Sequence, residues 1–101
     1  MLLIRDIFYC KPGKVKTMVE KFVAMKKLSE KAGMGRMRVL TDVSGERYWT
    51  IVSEMEVESL DKFMKMDLGG DAATMKEMEK LMSGYHELVD HGRREIFKIE
   101  G

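Results

Sequence analysis

Residues 47–55 read Arg47-Tyr48-Trp49-Thr50-Ile51-Val52-Ser53-Glu54-Met55. β-Branched and aromatic side chains alternate along this stretch, and Val43-Ser-Gly-Glu46 precedes it as a turn. It therefore reads as a strand. Trp49, Ile51, Ser53 and Met55 fall on one side of it; Tyr48, Thr50, Val52 and Glu54 fall on the other. Both sides carry apolar bulk, which places the strand centrally in a sheet with neither face made for water.

Upstream, Met34 to Thr41 reads as a more polar strand, with Arg36 and Arg38 suited to a sheet edge. Asp42-Val-Ser-Gly45 turns it into the Trp49 strand as a hairpin. Lys14 to about Lys31 is an amphipathic helix whose buried stripe is Val15, Met18, Val19, Phe22 and Met25, closed by Ala32-Gly33. The chain opens with a strand, Leu2 to Cys10. Leu3, Ile7 and Tyr9 share a face with Arg5, and Leu2, Ile4, Phe8 and Cys10 share the other with Asp6. Lys11-Pro-Gly-Lys14 ends it, because proline cannot donate to a ladder.

Downstream, Glu58 to Met66 predicts a short helix with Leu60, Phe63 and Met64 inward. Asp67-Leu-Gly-Gly-Asp71 breaks the period, and Asp71 is the expected N-cap of a longer helix from Ala72 to Gly92. Its stripe is Met75, Met78, Met82 and Tyr85, with Gly84 inside as a kink or close-approach point. Arg93 to Glu100 is the last strand. The order is β-α-β-β-α-α-β, a ferredoxin-like α+β plan with a four-stranded antiparallel sheet and helices on one face. The uncovered face still carries large apolar side chains, and a second copy of the chain is the simplest cover.

The chain has 101 residues, enough for one domain spanning 1–101. Charged residues make up 35% of it, yet the formal net charge is +1, so no global field draws in nucleic acid or an anionic membrane. The single cysteine, Cys10, excludes an internal disulfide and fits a reducing compartment. The apolar start is too short for a signal peptide, and no run reaches the roughly 20 apolar residues of a membrane span. The expectation is a cytoplasmic protein. Eleven methionines suit either ordinary core filling or a pocket that adapts to an apolar guest.

The opening strand running into Lys11-Pro-Gly-Lys14 resembles the dimeric α+β barrel superfamily. So do the aromatic third strand followed by Val57-Glu-Ser-Leu-Asp-Lys-Phe63, and the closing Tyr85-His-Glu-Leu-Val-Asp-His-Gly-Arg-Arg-Glu-Ile-Phe-Lys-Ile99. The resembled groups are the antibiotic-biosynthesis-monooxygenase-like and NIPSNAP-like proteins. The resemblance implies a homodimer in which two sheets meet, with a ligand cleft between each sheet and its own helices. Its members include cofactor-free oxygenases of aromatic substrates, haem-degrading enzymes and many proteins without known activity. The haem-degrading pattern of Asn on the first strand, Trp after the third and His on the next helix has no counterpart here. No cofactor is therefore assigned.

Individual residues allow more than one reading. His86 and Asp90 stand four apart, as an acid–base pair on one helix face would, or His86 simply meets solvent. No His-Glu-x-x-His motif is present, and no metal ligand is assigned. Arg5 and Asp6 need partners within a sandwiched strand. Arg94 and Glu95 supply them if the first and last strands are neighbours; otherwise Arg5 anchors a polar group of a ligand. Trp49 is a core or interface aromatic, or a stacking surface. The expected cleft is shaped by Trp49, Phe63, Met78, Met82 and Tyr85, with His86 as the candidate catalytic residue and Arg5 as a second polar contact.

Overall fold

A computed structural model describes residues 1–31, 33, 36–69 and 72–101. The chain runs β1 (Leu2–Cys10), α1 (Val15–Lys31), β2 (Met37–Thr41), β3 (Thr50–Val57), α2 (Leu60–Gly69), α3 (Ala72–Leu81) and β4 (Val89–Lys98), the expected order. The strands lie in the order β2-β3-β1-β4 with every neighbouring pair antiparallel. β1 is thus central, and its alternation sorts the whole sheet into two faces.

The helices cover the face of Ile4, Phe8 and Cys10. From α1, Met18 (0% exposed) and Phe22 (4%) enter the core against Cys10, Met37 and Ile51. The rings of Phe8 and Phe22 meet edge to face, 5.4 Å between centroids. A smaller cluster joins Ile4 and Val57 to Phe63 of α2. Leu60 and Met64, expected inward beside Phe63, are instead about half exposed. Ser59 precedes α2, and its hydroxyl accepts the Lys62 N–H at 3.2 Å as an N-cap. The expected cap at Asp71 lies outside the described residues, as does the expected strand start at Met34.

Three boundaries differ from the sequence reading. The loop before β3 is longer, because the Asp42 carboxylate accepts the Thr50 N–H at 2.8 Å and closes the hairpin there. Trp49 therefore precedes the strand, at φ 60°, a left-handed backbone unusual for a bulky residue. It is 44% exposed. Its carbonyl nonetheless accepts the Cys10 N–H at 2.8 Å.

The expected helix to Gly92 stops at Leu81. Gly84 turns left-handed at φ 80°, and a single 3-10 turn follows over Tyr85–Glu87. The Lys21 ammonium donates to the carbonyls of Leu81 (3.0 Å) and Ser83 (2.9 Å), satisfying the freed helix end.

β4 accordingly begins at Val89, four residues earlier than read, and Gly92 lies within it. A Cβ at Gly92 would sit 2.9 Å from both the Ile7 carbonyl oxygen and the Phe8 ring. No helix among the described residues is long and apolar enough to cross a membrane.

The opposite face is less apolar than its sequence suggests. Arg38, Glu54, Arg5 and Glu95 lie side by side across the four strands. Glu54 (6% exposed) accepts from Arg5 Nε at 2.8 Å and from Arg38, and Arg5 lies 3.8 Å from Glu95. Burial alone would raise the Glu54 pKa, but the two guanidinium groups outweigh it and hold the carboxyl below its ordinary range. Around this row, Leu40 (39%) and Phe97 (46%) stay exposed.

Candidate ligand-binding cleft

Between the sheet and the helices lies a cavity of about 240 Å³. Its floor is β1, through Ile4, Asp6 and Phe8, with Ser53 and Met55 from β3; its roof is α1 and the Met75–Met82 segment. Among the described residues, six methionines line it: Met25, Met37, Met55, Met75, Met78 and Met82. They come from β2 and β3, from α1 and α3, and from the turn after α3. No short motif shows this gathering; the stripes of two helices and the parity of two strands have to be combined.

One wall is charged. Arg94 of β4 sits opposite Asp6 in the strand register. Its Nε donates to Asp6 Oδ1 at 2.6 Å and a terminal nitrogen donates to Oδ2 at 3.2 Å, a two-point pair. The guanidinium also lies 4.9 Å from the centroid of the Phe63 ring. The Asp6 side chain is 24% exposed and that of Arg94 46%, so the pair stands at the cleft wall, not in the core. Its contribution to stability is correspondingly small, about 1 kcal/mol or less.

The residues expected to shape one site divide among three places. Phe63, Met78 and Met82 do line the cleft. Tyr85 and His86 line an adjoining depression instead, which shares Asp6, Phe8 and Arg94 with the cleft. The early end of α3 put them there, with their rings 3.9 Å apart and His86 exposed. Asp90 is on β4, paired with Arg47 at 3.9 Å, so it shares no helix face with His86.

Arg5 points to the opposite face of the sheet, held by Glu54 and Glu95. Trp49 belongs to the loop before β3 and does not line the cleft. Among the described residues, the charged side chains of the cleft lining are therefore Asp6 and Arg94, which the sequence reading paired with each other but did not assign to the site; Ser29 and Ser53 line it as well.

Solved structures share this architecture over nearly the whole chain. A NIPSNAP family protein with unknown function from Agrobacterium tumefaciens superposes with a TM-score of 0.78 at 14% identity, covering 98% of this chain and 87% of the other. An uncharacterized NIPSNAP-like domain protein from Burkholderia xenovorans gives 0.74 at 13%, covering 98% and 85%. A Nitrosomonas europaea protein named after the antibiotic biosynthesis monooxygenases gives 0.72 at 12%, covering 100% of both chains. The fold is that of the NIPSNAP-like and antibiotic biosynthesis monooxygenase proteins. At these identities the likeness is one of fold. No protein-family model matches the sequence, and no curated protein matches it.

On this fold the remaining reactive side chains are engaged elsewhere. Cys10 is a buried free thiol whose pKa is pushed up by burial and then by the Asp42 carboxylate, as in an inert core cysteine. Arg47 donates to His91 Nε2 at 3.1 Å and lies 4.6 Å from the centroid of the Tyr9 ring. A guanidinium has no acceptor, so the imidazole nitrogen facing it must accept. Among the described residues, no group of three His, Cys, Asp or Glu side chains gathers as a metal site requires.

Proposed function

We propose that the protein binds a small apolar or aromatic molecule in the methionine-lined cleft. The observation that carries this reading is the convergence of six unbranched, polarizable side chains on one cavity, with the Asp6–Arg94 ion pair at its wall. Methionine adapts its rotamers to irregular guests, and ligand sites are typically apolar concavities with few polar groups. A filled, non-catalytic core is the competing reading; a cavity of about 240 Å³ speaks against it.

If the chain is an enzyme, monooxygenase-like chemistry without a cofactor is the class to test, since proteins named for that activity share the fold. The chain's own residues would enclose the substrate and exclude water, with Asp6 the side chain placed to accept its proton. His86 is not given that role. We also propose that the chain pairs with a second copy through the open face, where Leu40 and Phe97 surround the ion-pair row. The buried free thiol of Cys10 fits a reducing, cytoplasmic setting.

Titration with indole and simple phenols by calorimetry tests the cleft. Binding that disappears in Met78→Trp, a variant built to fill the space, supports the reading; unchanged binding removes it. Oxygen uptake with bound phenols tests the chemistry, and sedimentation of wild type beside Phe97→Glu tests the pairing.

A further inference from the structure

Resting on the cleft as a ligand site, we infer that Lys21 is a latch on its roof. By gripping the end of α3, it sets how often that helix lifts to admit and release a guest.

The two halves of the roof are held very differently. α1 is rooted: Met18, Phe22 and Ser29 are buried, and the first two enter the main core. α3 is not. From Ala73 to Leu81 no residue is buried, and the helix packs against α1 more than against any strand. Its Met75 and Met78 border the cavity. Elements with few buried contacts open locally well before a domain unfolds. α3 is therefore the part of the roof that lifts.

The restraint lies at its C-terminal end. Lys21, next in sequence to the buried Phe22, donates from its ammonium to the Leu81 carbonyl at 3.0 Å and to that of Ser83 at 2.9 Å. Carbonyls at a helix end lack partners within the helix and carry the negative end of its dipole. A cation placed there makes charge-assisted hydrogen bonds, the stronger kind. Just past this grip Gly84 turns left-handed at φ 79–80°, with nothing within 4 Å of where a Cβ would stand. Further on, the Leu88 carbonyl accepts the Lys11 N–H at 2.8 Å and ties the chain beside the end of β1. The fixed point is thus Leu88, the pivot is Gly84, and the moving part carries Met75 and Met78.

Amide hydrogen exchange of the full chain tests the grip. Stopped-flow binding of 2-naphthol, followed by its fluorescence, tests access. Lys21→Met keeps the length of the side chain and removes its charge. The amides of Met82 and Tyr85 should exchange about five- to tenfold faster in it, the order expected for partly exposed hydrogen bonds to a charged group. The Phe22 amide should be unchanged. 2-Naphthol should enter and leave faster by the same factor, its Kd staying within about twofold, because the grip exists whether the cleft is empty or filled. Lys21→Arg, which keeps charge and donors, should match wild type in both measurements. Lys26→Met, which removes another α1 lysine, paired with Glu30, should match it too.

Unchanged exchange at Met82 and Tyr85 overturns the grip. Faster exchange with unaltered entry and exit overturns the control of access and leaves the cleft as a site. A weaker Kd with unaltered entry, or faster exchange at Phe22 as well, makes Lys21 a structural support and overturns the latch. Should Lys21→Met not fold, Lys21→Gln, a neutral donor, is read by the same two measurements. Failure of 2-naphthol to bind wild type removes the cleft reading and the latch together.

Discussion

The two faces of the sheet are made by alternate residues of the same strands, yet they treat charge in opposite ways. On the open face, Glu54 is buried with both oxygens held by Arg5 and Arg38, and Arg5 reaches on to Glu95. On the helix face, Asp6 is paired with Arg94 and borders a cavity. A buried carboxylate with both oxygens engaged fixes structure, because losing one partner leaves its charge undercompensated. A single pair beside empty apolar space keeps acceptor capacity for something else. The contrast teaches that adjacent residues, Arg5 and Asp6, serve different ends: one holds the sheet and the other borders the cleft.

The largest effect expected follows from that division. Arg5→Ala leaves the buried Glu54 carboxylate with Arg38 alone, and should cost about 3 kcal/mol in denaturant unfolding. Arg94→Ala on the other face should cost about 1 kcal/mol, since its pair is partly solvated. A reversed order would break the comparison.

Next comes pH. The folded-state pKa of Glu54 is lowered, so its stabilisation is present above the unfolded value, about 4.3, and is lost as pH falls through the folded value. Thermal melts should show Glu54→Gln less acid-sensitive than wild type across that window, with each kcal/mol read as about 4–8 °C for a domain this size. Parallel curves would remove Glu54 from the account of acid stability.

Met78→Ala should then cost about 1–2 kcal/mol, less than a fully enclosed methionine, because it enlarges space already open. It should weaken small probes without abolishing them. The smallest effect belongs to His86→Ala: probe affinity within about twofold of wild type, a difference of under 1 kcal/mol. A large loss there would return His86 to the site.

Much of the frame was legible in the chain because alternation is a local signal. The face partners of Arg5 and Asp6 followed from strand parity, and the pairs Arg5–Glu95 and Asp6–Arg94 followed once the first and last strands were taken as neighbours. The α1 stripe of Met18 and Phe22 was equally direct. What failed was decided by single backbone events. Leu88 and Val89 prolong an apolar period past Leu81, and only the left-handed turn at Gly84 shows that the helix has ended. Val43 to Trp49 looks strand-like at its end, but Asp42 locks the hairpin at Thr50 and leaves Trp49 outside.

The cleft was half readable for the same reason. Phe63, Met78 and Met82 lay on recognisable stripes, whereas His86 and Tyr85 were placed by a helix that stops earlier. The assignment of Arg5 rested on its charge alone, and strand parity sends it to the other face. The wall made by Asp6 and Arg94 depends on register between strands at opposite ends of the chain, which no local pattern encodes.

The central claim is that the methionine cluster is a binding surface, and methyl-labelled methionine NMR tests it most directly. On titration with 2-naphthol, the methyl signals of Met25, Met37, Met55, Met75, Met78 and Met82 should shift together and saturate, while those of Met1, Met18 and Met64 hold still. Stationary cleft signals, or shifts confined to methionines outside the cavity, would contradict it.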